Sequence, residues 1–195
     1  MNIELIKKHY KTISNEKLIS LATTEAHGLR KEVVPILMEE IRSRNLDKNI
    51  IEGFDRQMKK LTHEELINYC TIVQNCPCPY CGSTSDKLNG GVAKNTISVL
   101  LFTFQNTKTF IACRNCNNKF YNSANTKTAL LGWWGLPWGP IKTIGTLIYN
   151  SKIRRESEVT APSPLLQNFV KENIGKIEIE KNNPKGLQRI ITITE

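Results

Sequence analysis

Cys78-Pro79-Tyr80-Cys81-Gly82 and Cys113-Arg114-Asn115-Cys116 are the stretches on which the reading of this chain turns. Each is a C-x2-C step, and four thiolates offered in two such steps are the ligand set of a structural zinc site. Two sulfurs with two residues between them can bend back on one ion in a tight turn. Gly82, directly after the second sulfur, supplies the positive φ that such a turn uses. Asn117 stands in the same place after Cys116, and Asn tolerates that conformation next best. Residues 82–112 lie between the two pairs, longer than the usual gap, and a long β-hairpin would absorb them.

The pairs resemble the knuckles of zinc ribbons. The resemblance implies one structural Zn2+ held by Cys78, Cys81, Cys113 and Cys116. Cys-Pro-Tyr-Cys is also the redox motif of glutaredoxins, a reading that needs a first β-strand before it and a helix opening on it. Here helical patterns precede the motif and Gly82-Ser83-Thr84-Ser85 follows it. Cys76 is a spare or alternative ligand, and Cys70 falls on the apolar face of a predicted helix as a buried thiol. The N-terminal Met1-Asn2-Ile3-Glu4-Leu5-Ile6-Lys7-Lys8 has charges where a signal peptide has its apolar run. A reducing, cytoplasmic setting is therefore expected, and a disulfide framework is not.

The sequence around the knuckles predicts that hairpin. Asn89-Gly90-Gly91 reads as a turn, Thr96–Phe104 as a β-branched and aromatic strand, Gln105-Asn106-Thr107 as the next turn, and Lys108–Ala112 as the strand that delivers Cys113. Upstream, residues 1–75 read as a helical bundle. Ile3, Ile6 and Tyr10 mark a first helix, Ser14 caps a second over 15–26, and Val33, Val34, Leu37 and Ile41 mark a third over 30–45. Pro35 must lie in that helix's first turn. Asp47 starts a segment carrying Ile50, Ile51, Phe54 and Met58, and Thr62-His63-Glu64-Glu65 is a capping box opening 63–74. Residues 14–46 resemble a short helical module of small bacterial proteins.

Charge is concentrated in the middle of the chain. Residues 1–75 carry 12 basic and 11 acidic side chains, residues 76–155 carry 10 and one, and residues 156–195 carry 5 and 6. A four-thiolate zinc centre would remove about two units from the middle excess and leave it strongly basic. Such a field favours an anionic partner: nucleic acid, an anionic membrane face or an acidic protein. Lys94, Lys108, Arg114, Lys119, Lys152, Arg154 and Arg155 are the candidate partner-binding residues.

Residues 123–155 contain all three tryptophans, Trp133, Trp134 and Trp138. Pro137 and Pro140 break the apolar run into two halves, and Pro140 suits the first turn of a helix carrying Ile141, Ile144, Leu147 and Ile148. A helix–corner–helix packed on the ribbon, with the tryptophans in its core, is the expectation. An interfacial membrane anchor is the alternative, since Trp favours headgroup level and basic residues face anionic lipid. Gly132-Trp133-Trp134-Gly135 with Pro137-Trp138-Gly139-Pro140-Ile141 resembles a segment that follows zinc ribbons in uncharacterised bacterial proteins. Residues 156–195 read as a helix capped by Ser163, begun by Pro164 and ended by Gly175, then a β-hairpin of Ile177–Glu180 and Leu187–Thr194 around Asn182-Asn183-Pro184-Lys185-Gly186.

The expected architecture is α+β, in four parts: 1–75 helical bundle, 76–122 zinc ribbon, 123–155 Trp-rich helix pair, 156–195 helix and hairpin. The chain has no Gly-rich phosphate loop, nucleophile elbow or H-E-x-x-H, and no local pattern joins His9, His27 or His63 to a nucleophile. The sequence points to a non-enzymatic zinc-ribbon protein that binds a macromolecule. A protein partner is favoured, as for an adaptor or an immunity-type inhibitor. Nucleic-acid binding through the basic segment and peripheral membrane association through the Trp-rich segment are the alternatives.

Overall fold

The structure is a computed structural model and describes residues 3–46, 49–100 and 102–193. Among these the chain forms an α+β fold. α1 (Ile3–Thr12), α2 (Asn15–Thr23), α3 (Val34–Ser43), α4 (Asn49–Met58) and α5 (His63–Gln74) precede an antiparallel pair, β1 (Asn89–Val99) and β2 (Phe102–Ala112). α6 (Arg114–Leu131), α7 (Trp138–Ser157), α8 (Pro164–Glu180) and α9 (Pro184–Ile193) follow. The chain divides into two compact units, Met1–Tyr69 with Phe169–Ile190 and Cys70–Asn168 with Ile191–Glu195.

In the first unit, local signals place the helix starts. The Ser14 hydroxyl accepts the Lys17 N–H and caps α2, and Pro35 sits in the first turn of α3. Leu18, Ala22, Leu37, Ile41 and Phe54 then bury their apolar faces in one core. At the head of α5 the Thr62 N–H donates to Glu65 Oε2 at 2.9 Å and the Glu65 N–H donates to Thr62 Oγ1 at 3.2 Å. Arg56 Nη1 adds a 3.0 Å bond to Glu65 Oε1. The Thr62 N–H first, and Arg56 second, hold the Glu65 carboxyl down at about 2, from an ordinary 4.5. A lowered carboxylate stabilises the fold above its ordinary range and stops doing so as pH falls through its folded value. Glu65→Gln should therefore lower the urea midpoint of the first unit, read on its amide signals, at neutral pH. The gap to wild type should close only below about pH 4.5; a gap of equal size at acid and neutral pH would contradict this.

The C-terminal part corrects the sequence reading. Residues expected to form a β-hairpin are helical, in α8 and α9. The alternation of Ile177 and Ile179 spans only four residues, while Val170, Ile174 and Ile177 recur at helical spacing and are all buried. Leu187, Ile190 and Ile191 repeat that spacing in α9, and Pro184 begins that helix rather than closing a turn. Thr194, the end of the expected strand, lies outside the described residues, as does Asp47. Ser163 and Pro164 do start α8, with the Leu166 N–H donating to Ser163 Oγ at 3.3 Å. The helix breaks at Asn173 (φ −115, ψ 15), two residues before the expected stop at Gly175, and a second helical segment follows the kink. A β-carbon on the facing Gly53 would stand 2.7 Å from the Gly175 carbonyl oxygen, so this glycine marks a close helix crossing within the unit. Its N–H donates to Gln57 Oε1 at 2.9 Å.

In the second unit the hairpin turns earlier than expected. Val99 pairs with Phe102 and Asn89 with Ala112, an unbroken ladder of eleven residues on each strand. Asn89-Gly90-Gly91 and Gln105-Asn106-Thr107 are strand, not turn. The reversal falls at Leu100, at φ 52, and Leu101 beside it lies outside the described residues. Two leucines carry no turn chemistry, which is why composition pointed elsewhere. α6 and α7 pack on β1.

Candidate metal centre and the surface it supports

The cysteine pairs are built by different local structures. Cys78–Cys81 lies in the loop between α5 and β1. Its turn is closed by the Gly82 N–H on the Cys78 carbonyl at 2.8 Å and the Cys78 N–H on the Ser83 carbonyl at 2.9 Å. Gly82 adopts φ 71, the conformation expected of it. Cys113 ends the ladder as the N-cap of α6 and makes no side-chain capping bond, which leaves its sulfur available. Cys116 sits in the same first turn. Asn117 is therefore helical and buried rather than at positive φ. The second pair is a helix N-terminus, whose partial positive charge favours thiolates.

The Sγ atoms of Cys78, Cys81, Cys113 and Cys116 all lie within 4.8 Å of one another, with Cys81 and Cys113 at 3.6 Å. Zn–S bonds of about 2.3 Å in a tetrahedron put sulfurs about 3.8 Å apart, so the spacing fits a metal ion. Four converging thiols that donate to nobody else also suit a cation chemically. Hydrogen bonding, led by the Ser83 N–H, holds the exposed Cys81 thiol down at about 7, while burial pushes Cys113 and Cys116 up. Cys76 is outside the cluster. Its thiol donates to the Ile72 carbonyl at 3.4 Å, and burial raises it to about 11. Cys70 is buried, as expected. The Cys-Pro-Tyr-Cys step opens no helix, so the frame that a glutaredoxin-type redox site needs is lacking.

The cations picked out from sequence are carried on four elements, and several are engaged within the chain. The Lys94 ammonium lies 3.9 Å from the Tyr149 ring centroid, and Lys108 lies 4.7 Å from that of Phe120. Arg114 Nη2 donates to the Glu158 carbonyl at 2.8 Å, and Arg154 donates to Glu158 Oε1 at 3.2 Å and Asn122 Oδ1 at 3.3 Å. Lys119, Lys152 and Arg155 are exposed.

At the far end of the hairpin the tryptophans correct the expectation of a core. Trp133, Trp134 and Trp138 are 42%, 70% and 58% exposed. They are not alone. Val99, Leu100, Phe102 and Phe104 are exposed at the hairpin end, and Ile141, Ile144 and Ile148 along α7. The Ser98 hydroxyl donates to the Gly132 carbonyl at 2.7 Å, so the hairpin end and the α6–α7 corner are joined in one surface.

What lies beneath is polar. Thr143, Thr146, Asn150 and Ser157 form the buried side of α7, and Thr96 and Ser98 face it from β1. The Thr96 and Thr146 hydroxyls are 2.7 Å apart, Gln105 Nε2 donates to Thr146 at 3.1 Å, and Asn150 Nδ2 donates to the Lys94 carbonyl at 2.7 Å. Sequence reasoning took Ile141, Ile144 and Ile148 for an inward stripe because apolar faces usually turn in. The threonines and Asn150 on the opposite face were the signal that this helix is reversed. Trp134→Ala should accordingly change stability by less than about 0.5 kcal/mol, since the ring leaves no cavity. A loss of several kcal/mol in urea unfolding would restore the core reading.

Among the described residues no helix is long and apolar enough to cross a membrane. Compared with known protein families, curated proteins and solved structures, the chain matches none of them.

Proposed function

We propose that the chain is a non-enzymatic, cytoplasmic docking module whose second unit is folded around one structural Zn2+. The zinc-ribbon resemblance of the knuckles and the closed four-sulfur set support zinc in a holding role, because a filled tetrahedron leaves no position for an activated water. Docking rests on a single observation. The second unit turns bulky apolar side chains outward over a hydrogen-bonded polar interior. Contiguous exposed apolar surface of this kind marks an interaction site. Metal analysis should find one zinc per chain. A hydrophobic-surface dye should bind the folded protein, and Phe102→Ser/Trp134→Ser should lose most of the dye while keeping the metal. Dye binding that ignores this double variant would sink the reading.

A further inference from the structure

We infer that the surface docked against is an anionic phospholipid bilayer, entered to the depth of one leaflet by the hairpin end and the α6–α7 corner acting as one wedge. This rests on the docking reading above and names its partner.

Charge is the first ground. From Lys87 to Arg155 the chain carries ten cations and no acidic side chain. A second copy would bring like charge against like. An anionic membrane surface meets both features at once, with headgroups for the cations and acyl chains for the apolar end.

The distribution of polar groups is the second ground. Surfaces read by nucleic acids offer hydrogen-bonding groups to phosphates and base edges. Here two of the three indole N–H groups are already spent inside the chain. Trp133 Nε1 donates to the Ala129 carbonyl at 2.8 Å and Trp134 Nε1 to the Leu130 carbonyl at 3.2 Å. Both rings can leave water without orphaning a donor. Small residues and hydrogen bonds on the inside, with apolar side chains on the outside, are how elements pack when the surrounding medium is itself apolar.

The third ground is depth. On β2 the apolar residues at the end give way at Gln105, three residues after Phe102 and about 10 Å back at strand rise. On α7 the exposed stripe runs from Trp138 to Ile148, about 15 Å at helix rise, before Lys152 and Arg155. Lys127 precedes the exposed Leu130 and Leu131 by a turn of α6, and Lys142 lies about 6 Å along the α7 stripe at helix rise, where its long stem can carry the ammonium toward the headgroups. The apolar zone thus fits within one leaflet of a hydrocarbon core of about 30 Å. Lys152 and Arg155 stand beyond the stripe, where lipid phosphates would lie, and among the described residues no helix is long and apolar enough to cross.

The test is co-sedimentation of the zinc-loaded chain with vesicles of phosphatidylcholine alone or mixed equally with phosphatidylglycerol. The mixed vesicles should bind it, and the neutral ones about tenfold or more weaker. Phe102→Ser/Trp134→Ser should cut binding to the mixed vesicles about tenfold or more, and Lys127→Gln and Lys142→Gln about fivefold each. Lipids brominated on the acyl chain should quench wild-type tryptophan emission. Failure to bind mixed vesicles, or binding indifferent to the double variant, overturns the inference. Dye binding lost in that variant, together with no vesicle binding, would leave docking standing and remove lipid; absence of both would remove both. Retention on an RNA homopolymer that survives the double variant and is lost on reversing Lys108 and Lys119 would give the partner as nucleic acid instead.

Discussion

Cys113→Ser should lose the metal and unfold the hairpin with the two helices packed on it. Phe110, Tyr121, Ala93 and Ala124 form a small apolar cluster between the strands and α6, with Phe120 and Ile153 packed against it. Much of the remaining interior is threonine, serine and asparagine, whose hydrogen bonds add little net stability against water. A four-sulfur metal site at the base of the hairpin would tie this mixed apolar and polar interior together. Structural zinc contributes about 10–16 kcal/mol in small metal-folded peptides, against about 5–15 kcal/mol for a whole domain. Cys113 joins the end of β2 to the start of α6, so its loss frees both. Hydrogen exchange should show the amides of β1, β2, α6 and α7 losing protection, while those of α2, α3 and α4 keep theirs. Chelation of wild type should do the same. Cys70→Ala should keep the metal. Full protection in metal-free protein would refute the claim that the ion organises this unit.

Two phenylalanines on one strand should behave oppositely. Phe110 is 1% exposed, with ring centroids 5.5 Å from Tyr121 and 4.7 Å from Phe120. Phe102 is 68% exposed at the other end of the same strand. Phe110→Ala should cost about 3–5 kcal/mol, the transfer energy of the ring plus the cavity it leaves. Phe102→Ala should fall within about 0.5 kcal/mol of wild type, because nothing packs over it to collapse. Urea unfolding of the zinc-loaded proteins measures both. Comparable losses at the two positions would mean that the hairpin end is covered by the chain itself, and the docking surface would vanish with that result.

These contrasts also show what the chain's chemistry made readable. Signals confined to a few neighbouring residues were legible. Ser14, the Thr62–Glu65 box and Ser163-Pro164 start helices where their side chains meet orphan N–H groups. The four sulfurs converge because C-x2-C fixes each pair on its own turn. Signals that depend on distant packing were misread. Gly175 follows a helix break at Asn173, but its close approach to Gly53 could not be read from its neighbours in sequence. Ile177 and Ile179 alternate like a strand because four residues are too few to separate the two periods. The tryptophans were assigned to a core on the rule that large rings are buried, yet the inner positions of α7 were already taken by threonine and asparagine. The hairpin end was missed because Leu100 turns the chain without a turn residue's side chain.

Trp133, Trp134 and Trp138 should be open to solvent in the free, zinc-loaded protein. Acrylamide quenching of their emission should approach that of free indole, with the emission maximum near that of indole in water. Shielded, blue-shifted emission that resists the quencher would contradict the docking reading, because the apolar surface proposed for docking would then be interior.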